Sequence, residues 1–321
     1  MDFEDAIFKR QTIYTTNQNK ASMELVFLGT SAMVPTKERN HSSIFLKYEG
    51  EGILVDCGEG TQRQFKIAEE TATKITKILI SHWHGDHVLG LPGLLQTLSA
   101  SEYAKKDTTL EIYGPKGCKK QVEAMLVAFP FDNKLNMIVK EVSSGTFVKT
   151  ENFEIDAFPM EHSIPCLGFK FRELDKRRID IAKIKKLGIP EGPLLGKLQL
   201  NKAITHNGKK ISAKDTTYIV PGKHIGFITD TGQCKSCLEI AEGVDVLICE
   251  ATFMEKEAEK AEQYKHLTIK QGALIAHTTN VKKLILTHFS QRYKDKSEIE
   301  EEAKDVFPNV ILAYDGMKLT I

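Results

Sequence analysis

Five apolar, β-rich runs in this chain each stop at a side chain able to bind a metal or move a proton. Residues 77–80 lead to His82, 153–158 to His162, 224–229 to Asp230, 244–249 to Glu250, and 284–286 to His288. Strands buried on both faces read as continuous apolar runs. In α/β proteins, reactive groups collect beyond the C-terminal ends of such strands. Helical periodicity fills the intervals at 90–104, 116–129, 236–242, 269–278 and 296–306. The spacing predicts an α/β chain with sheet inside and helices outside.

The segment Ser81-His82-Trp83-His84-Gly85-Asp86-His87 is the densest of these endings. It carries three imidazoles and a carboxylate between His82 and His87. At that spacing the four groups cannot line one face of a helix or strand. They fit a loop at a strand end that folds its side chains around a centre. Asp86 and His87 then begin the helix suggested by residues 88–98. A lone histidine is more often a satisfied core residue, but this cluster points to metal. Neutral imidazole with carboxylate suits zinc.

These residues match the H-x-H-x-D-H signature of the metallo-β-lactamase superfamily. The resemblance implies a four-layer αββα sandwich. It also implies that His82, His84, Asp86 and His87 divide between two zinc ions. Completing such a site from the other strand ends gives His82, His84 and His162 for one ion, and Asp86, His87 and His288 for the other. Asp230 would bridge them. His41, His206, His224 and His277 lack such a cluster and read as structural or exposed.

A narrower resemblance rests on five segments. They are Leu28-Gly29-Thr30-Ser31-Ala32 with Pro35-Thr36-Lys37-Glu38-Arg39-Asn40, Asp56-Cys57-Gly58-Glu59-Gly60-Thr61-Gln62-Arg63-Gln64, the Gly/Pro stretch 188–198, Glu250-Ala251-Thr252-Phe253, and Thr287-His288-Phe289-Ser290-Gln291-Arg292-Tyr293. Together they resemble the ribonuclease Z family of tRNA 3′-end processing endonucleases from about Met23 to Met317. The resemblance implies a precursor tRNA substrate, no organic cofactor and a homodimer. It implies that Asp86 orients or deprotonates the attacking water, that His266 protonates the leaving 3′-oxygen, and that Glu250 orients His266. The expected products are a tRNA 3′-OH and a trailer with a 5′-phosphate. Cys249 and Leu267 depart from the family's pattern beside Glu250 and His266.

Residues 172–221 break the strand-and-helix rhythm. They are rich in Lys, Arg, Gly and Pro and weak in periodicity, as expected of a functional insertion in the domain of residues 23–321. By resemblance this is the tRNA-binding arm, with Lys176, Arg177 and Arg178 as its basic cluster. A solvated loop with a surface helix at 180–187 is the plainer reading. Lys37, Arg39 and Arg292 flank strand-end loops and could grip the acceptor end.

The chain has 321 residues with a net charge of +1, so any RNA affinity must come from local basic patches. No run reaches the ~18 apolar residues of a membrane span. Residues 1–22 read as a polar extension without a signal-peptide core. Six scattered cysteines suit a reducing cytoplasm. Cys234-Lys235-Ser236-Cys237 is a lone C-x-x-C pair, read as helix-start thiols rather than a metal or redox motif. Two alternatives stay open: a hydrolase of small phosphodiesters or thioesters, and a non-catalytic RNA-binding zinc protein. The arm argues against the first, and a ligand set containing carboxylates but no cysteine against the second.

Overall fold

Every one of the five runs becomes a buried strand in the computed structural model, which describes residues 23–105 and 108–321. The 1–22 extension lies outside the described residues. The strands form two seven-stranded sheets. Across the first sheet the order is Lys318–Thr320, Glu24–Gly29, Ser43–Tyr48, Glu51–Val55, Lys77–Leu79, Leu110–Gly114 and Met137–Glu141. The last four are parallel and the others antiparallel. The second sheet runs Val310–Leu312, Lys283–Thr287, Val246–Glu250, His224–Ile228, Cys166–Glu173, Phe153–Met160 and Gly145–Lys149. Its first four strands are parallel and the rest antiparallel.

The sheets pack face to face over Leu25, Phe27, Leu46, Phe169, Phe171, Phe227 and Ile248. Helices cover the outer faces. Helix Leu91–Ala100 buries Leu91, Leu94, Leu95 and Leu98, an i, i+3, i+4, i+7 stripe that lies on Leu54, Ile78 and Ile112. Full burial of each such leucine contributes about 1.5–3 kcal/mol. On the second sheet, helix Ile269–Thr278 begins at a capping box in which Thr268 and Gln271 satisfy each other's backbone N–H groups.

The helix expected to continue from His87 is broken. A short turn, Gly85–Val88, ends before Leu91–Ala100 begins. The break sits at Gly90, where a Cβ atom would lie 2.0 Å from the Gly58 carbonyl oxygen. That close approach ties the histidine loop to the loop after Glu51–Val55.

The arm corrects the expectation of little structure. Lys176–Ile179 and Thr217–Val220 pair as an antiparallel root. Between them lie helices Ile181–Lys186 and Pro193–Gln199 and a hairpin, Ile204–His206 with Lys209–Ile211. Asp180 caps the first helix by accepting from the Lys183 N–H. Asn207 and Gly208 turn the hairpin with φ of 50° and 70°, as an Asn-Gly type I′ turn requires. Ile184, Ile189, Leu198, Ile204 and Ile211 form a small core that belongs to the arm alone. Residues 172–221 hold twelve Lys and Arg against five Asp and Glu, so the arm concentrates the positive charge of a chain that is nearly neutral.

Candidate metal centre and its surroundings

The strand ends of both sheets meet at one edge of the sandwich. The first sheet supplies Asp56 after Glu51–Val55, and His82, His84, Asp86 and His87 after Lys77–Leu79. The second supplies His162, Asp230, Glu250 and His288.

All seven expected ligands come together in two groups. In the first, His84 Nδ1 lies 3.1 Å from His82 Nε2 and 3.2 Å from His162 Nε2. In the second, His87 Nε2 and His288 Nε2 are 3.2 Å apart, and Asp86 Oδ2 is 3.5 Å and 3.4 Å from them. Asp230 stands between the groups. Its Oδ2 is 3.6 Å from His82 Nε2 and 3.4 Å from His87 Nε2, while Oδ1 is 3.3 Å from His288 Nε2. Asp230 Oδ1 is buried with no hydrogen-bond donor. Such an orphaned oxygen costs about 1–3 kcal/mol or more, which a cation at the cluster would offset. The residues therefore fit a metal centre. Burial opposes ionisation of Asp86 and Asp230, but the facing imidazoles of His288 and His87 override it and hold both carboxylates well below the usual range.

Residues behind the ligands fix which ring nitrogen faces the centre. His87 Nδ1 donates to Asp56 Oδ2 at 2.8 Å, and His162 Nδ1 to the Lys265 carbonyl at 3.1 Å. His288 Nδ1 donates to Thr252 Oγ1 at 2.9 Å, whose hydroxyl donates to Glu250 Oε2 at 2.6 Å. Each leaves an Nε2 lone pair facing inward, the arrangement expected around metal ligands. Asp56 also accepts from the Ser81 N–H and hydroxyl. Asp56 and His288 both adopt φ of 59°, a strained setting for non-glycine residues that clusters at functional sites. Asp56 was missed as a site residue, although it ends an apolar strand as the five recognised residues do. Thr252 lies in the Glu250-Ala251-Thr252-Phe253 segment but carried no expected role, and nothing in the sequence marks the Lys265 carbonyl.

His266 stands beside both groups, its ring centroid 5.3 Å from that of His162 and 5.8 Å from that of His288. Its Nδ1 lies 3.0 Å from Glu250 Oε1. Burial disfavours the imidazolium, but the Glu250 carboxylate overrides it and raises the pKa to about 9. Dications at the centre would oppose that shift. A cleft of about 800 Å³ opens over the site, lined among others by Met33, His84, Asp86, His162, His266 and Arg292.

The basic residues separate into two kinds. Lys37 and Arg178 are exposed. Arg292 is at the cleft, over the Phe253 ring, with its guanidinium bonded to Glu257 at 2.6 Å. Arg39 is only 6% exposed, 4.8 Å from the Phe289 ring centroid, so it is a packed residue rather than a free grip. Lys176 is held by Glu49, Glu173 and the Tyr48 hydroxyl at 2.6–3.0 Å, which seats the arm's root on the first sheet. Arg177 donates to Thr217 across the root. Arg39 and Lys176 thus depart from their expected place in an RNA surface, because packing and carboxylates already occupy them.

Sequence relatives decide the family. The ribonuclease Z of Methanothermobacter thermautotrophicus is 37% identical over 308 residues, covering 93% of this chain and 97% of its own. The chain belongs to the ribonuclease Z family. Human tRNase Z, short form, superimposes with a TM-score of 0.68 at 29% identity, over 92% of this chain and 98% of that one. The metallo-β-lactamase fold protein YhfI of Bacillus subtilis gives 0.67 at 18% identity, over 94% and 100%, and shares the fold. A family profile described as anti-Pycsar protein Apyc1 matches residues 23–179, less than half of the chain. That match includes the histidine loop and His162 but ends at the arm's first strand, before Asp230, His266 and His288.

Metal removal should be visible without any substrate. Metal at a hundredfold excess over its Kd adds about 2.7 kcal/mol to stability, roughly a 5 °C rise in Tm for a chain of this size. Calorimetry with and without chelator reads it. An unchanged Tm would mean that the cluster holds nothing.

Proposed function

We propose that this chain is a zinc-dependent endoribonuclease that removes the 3′ trailer from precursor tRNA after the discriminator nucleotide. The observation that carries this reading is the Glu250–His266 pair, a carboxylate and imidazole at 3.0 Å, set in one cleft with both ligand groups. His82, His84 and His162 would hold one ion, Asp86, His87 and His288 the other, and Asp230 both. Two bound dications supply Lewis-acid charge at the scissile phosphate and make water acidic enough to attack near neutral pH.

The rest falls to the chain's own groups. Met33 N–H donates to Asp86 Oδ2 at 2.8 Å, which pins one oxygen of the carboxylate that orients the attacking water. His266 delivers a proton to the departing 3′-oxygen, and Glu250 keeps its ring charged and aimed. Because the nucleophile is water, the 2′-hydroxyl is not consumed. End mapping of a cleaved 3′-extended tRNA should show a 3′-OH on the tRNA and a 5′-phosphate on the trailer. A 2′,3′-cyclic phosphate would sink the mechanism.

The arm favours a folded RNA over a small phosphodiester. A-form RNA is held through shape and phosphate contacts, and the arm presents a folded, charged module with its own small core. A homodimer in the cytoplasm, one copy's arm holding tRNA for the other's site, belongs to the same reading. Arg178, Lys185 and Lys186 are exposed on the arm. Changing all three to alanine should raise KM for precursor tRNA roughly tenfold at moderate salt, and flatten the salt dependence by up to ~0.9 per lost phosphate contact. Hydrolysis of bis(p-nitrophenyl) phosphate should not change. Equal losses on both substrates would move the protein to the small-substrate class.

A further inference from the structure

The loop that carries Asp230 runs directly into the C-x-x-C pair. Its hydrogen bonds are specific. Thr231 N–H donates to Glu250 Oε1 at 2.9 Å, and Gly232 N–H donates to the Glu161 carbonyl at 2.8 Å. Glu161 N–H donates to Thr231 Oγ1 at 3.0 Å. Thr231 Oγ1 is in turn 3.6 Å from Cys234 Sγ, and Cys234 Sγ is 3.7 Å from Cys237 Sγ. One chain of contacts thus joins the two thiols to Asp230, to His162 through its neighbour Glu161, and to Glu250.

We propose that Cys234 and Cys237 form a reversible dithiol–disulfide pair whose oxidation loosens the Asp230 loop and weakens the metal centre.

Three observations support this. The two sulfurs are in thiol contact and need to close only to the roughly 2.05 Å of a disulfide, within one turn at a helix start where the backbone can yield. Of the six cysteines, Cys234 alone is not buried, so one residue of the pair is partly exposed while its partner is buried. The hydrogen bond from Cys237 draws the Cys234 thiol down to about 5 against its desolvation, so the accessible sulfur is a thiolate at neutral pH. Cys57, Cys166 and Cys249 are buried, and burial pushes their thiols up.

With oxidised glutathione as oxidant the step balances. The Cys234 thiolate attacks one glutathione sulfur and expels a glutathione thiolate. Cys237 then loses its proton, attacks Cys234 Sγ in the mixed disulfide and expels the second. The protein gives up two electrons and the Cys237 proton, and one oxidised glutathione becomes two reduced, the second glutathione thiolate taking its proton from water. The new bond turns Cys234 Sγ towards Cys237 and removes the thiolate that Thr231 Oγ1 contacts. The loop between Asp230 and Cys234 then loses one of the contacts that set the carboxylate.

The inference rests on Asp230 as a ligand and not on the identity of the substrate, so metal retention is read beside cleavage. The metal-loaded protein is incubated with excess oxidised glutathione, alkylated and digested with trypsin. Lys235 lies between the two cysteines, so trypsin separates them unless a disulfide joins the fragments. The expected result is a joined pair of peptides two mass units lighter than the separate thiol forms. Metal loss to a competing chelator should rise roughly tenfold, the scale of changes behind the ligands. Dithiothreitol should reverse both. Cys237→Ser, which leaves Cys234 beside Thr231, should keep the reduced protein's metal retention and give no joined pair with glutathione. Separate, alkylated peptides after oxidation would overturn the pair. A joined pair with unchanged metal retention would overturn its link to Asp230.

Discussion

Asp86→Ala is expected to lower single-turnover cleavage of precursor tRNA by about 10³–10⁴-fold while leaving the Kd for that RNA within a factor of about two. The argument is geometric. Asp86 Oδ2 faces His87 and His288 at 3.5 and 3.4 Å and takes the Met33 N–H at 2.8 Å. Removing the carboxylate strips one group from the second ligand set and the acceptor that would position water. The arm, which would hold the RNA, lies on other residues and has its own core. Filter binding and single-turnover cleavage on the same preparation separate the two effects. Cleavage within tenfold of the parent would take Asp86 out of the chemistry. A parallel loss of binding would mean that the site, rather than the arm, supplies the affinity.

His266→Ala should lower kcat by about 10²–10³-fold with KM little changed, the usual span for a lost general acid. A precursor with sulfur in place of the scissile 3′-oxygen leaves as a thiolate and needs no proton. It should restore most of the rate to this variant but not to Asp86→Ala. Equal losses on both substrates would make His266 a structural residue. Glu250→Gln supplies a pH test with a fixed sign. The Glu250 carboxylate raises the His266 pKa against burial. Activity that needs the imidazolium is lost as pH rises through that pKa. Without the carboxylate the pKa falls, so the alkaline limb of kcat should move to lower pH. A limb that stays in place would assign it to another group.

The strands and the residues gathered at their ends were legible because both follow from one rule: an apolar run buried on two faces, then a polar side chain at its end. His82, His162, Asp230, Glu250 and His288 all obey it, and the structure gathers them at one edge. Asp56 obeys it too, and was overlooked only because a single carboxylate after a strand is common. The arm was illegible because its elements are too short for periodicity. Ile184, Ile189, Leu198, Ile204 and Ile211 each come from a different short piece, although Asn207-Gly208 was a readable hairpin turn. Charge in the sequence also says nothing about which cations are already occupied. Arg39 over Phe289 and Lys176 among Glu49, Glu173 and Tyr48 owe their occupation to the fold.

The two ligand groups draw on distant parts of the chain, with His87 and His288 at 3.2 Å. This bears on synthesis. A growing chain folds from its N-terminal end first, so the first sheet can form with His82, His84, Asp86 and His87 in place. Asp230, His266 and His288 emerge later, and the strand Lys318–Thr320 that closes the first sheet beside Glu24–Gly29 comes last. A ribosome-bound fragment therefore holds a half-built centre with no His266, and a truncated chain released early would be unable to cut the cell's own RNA.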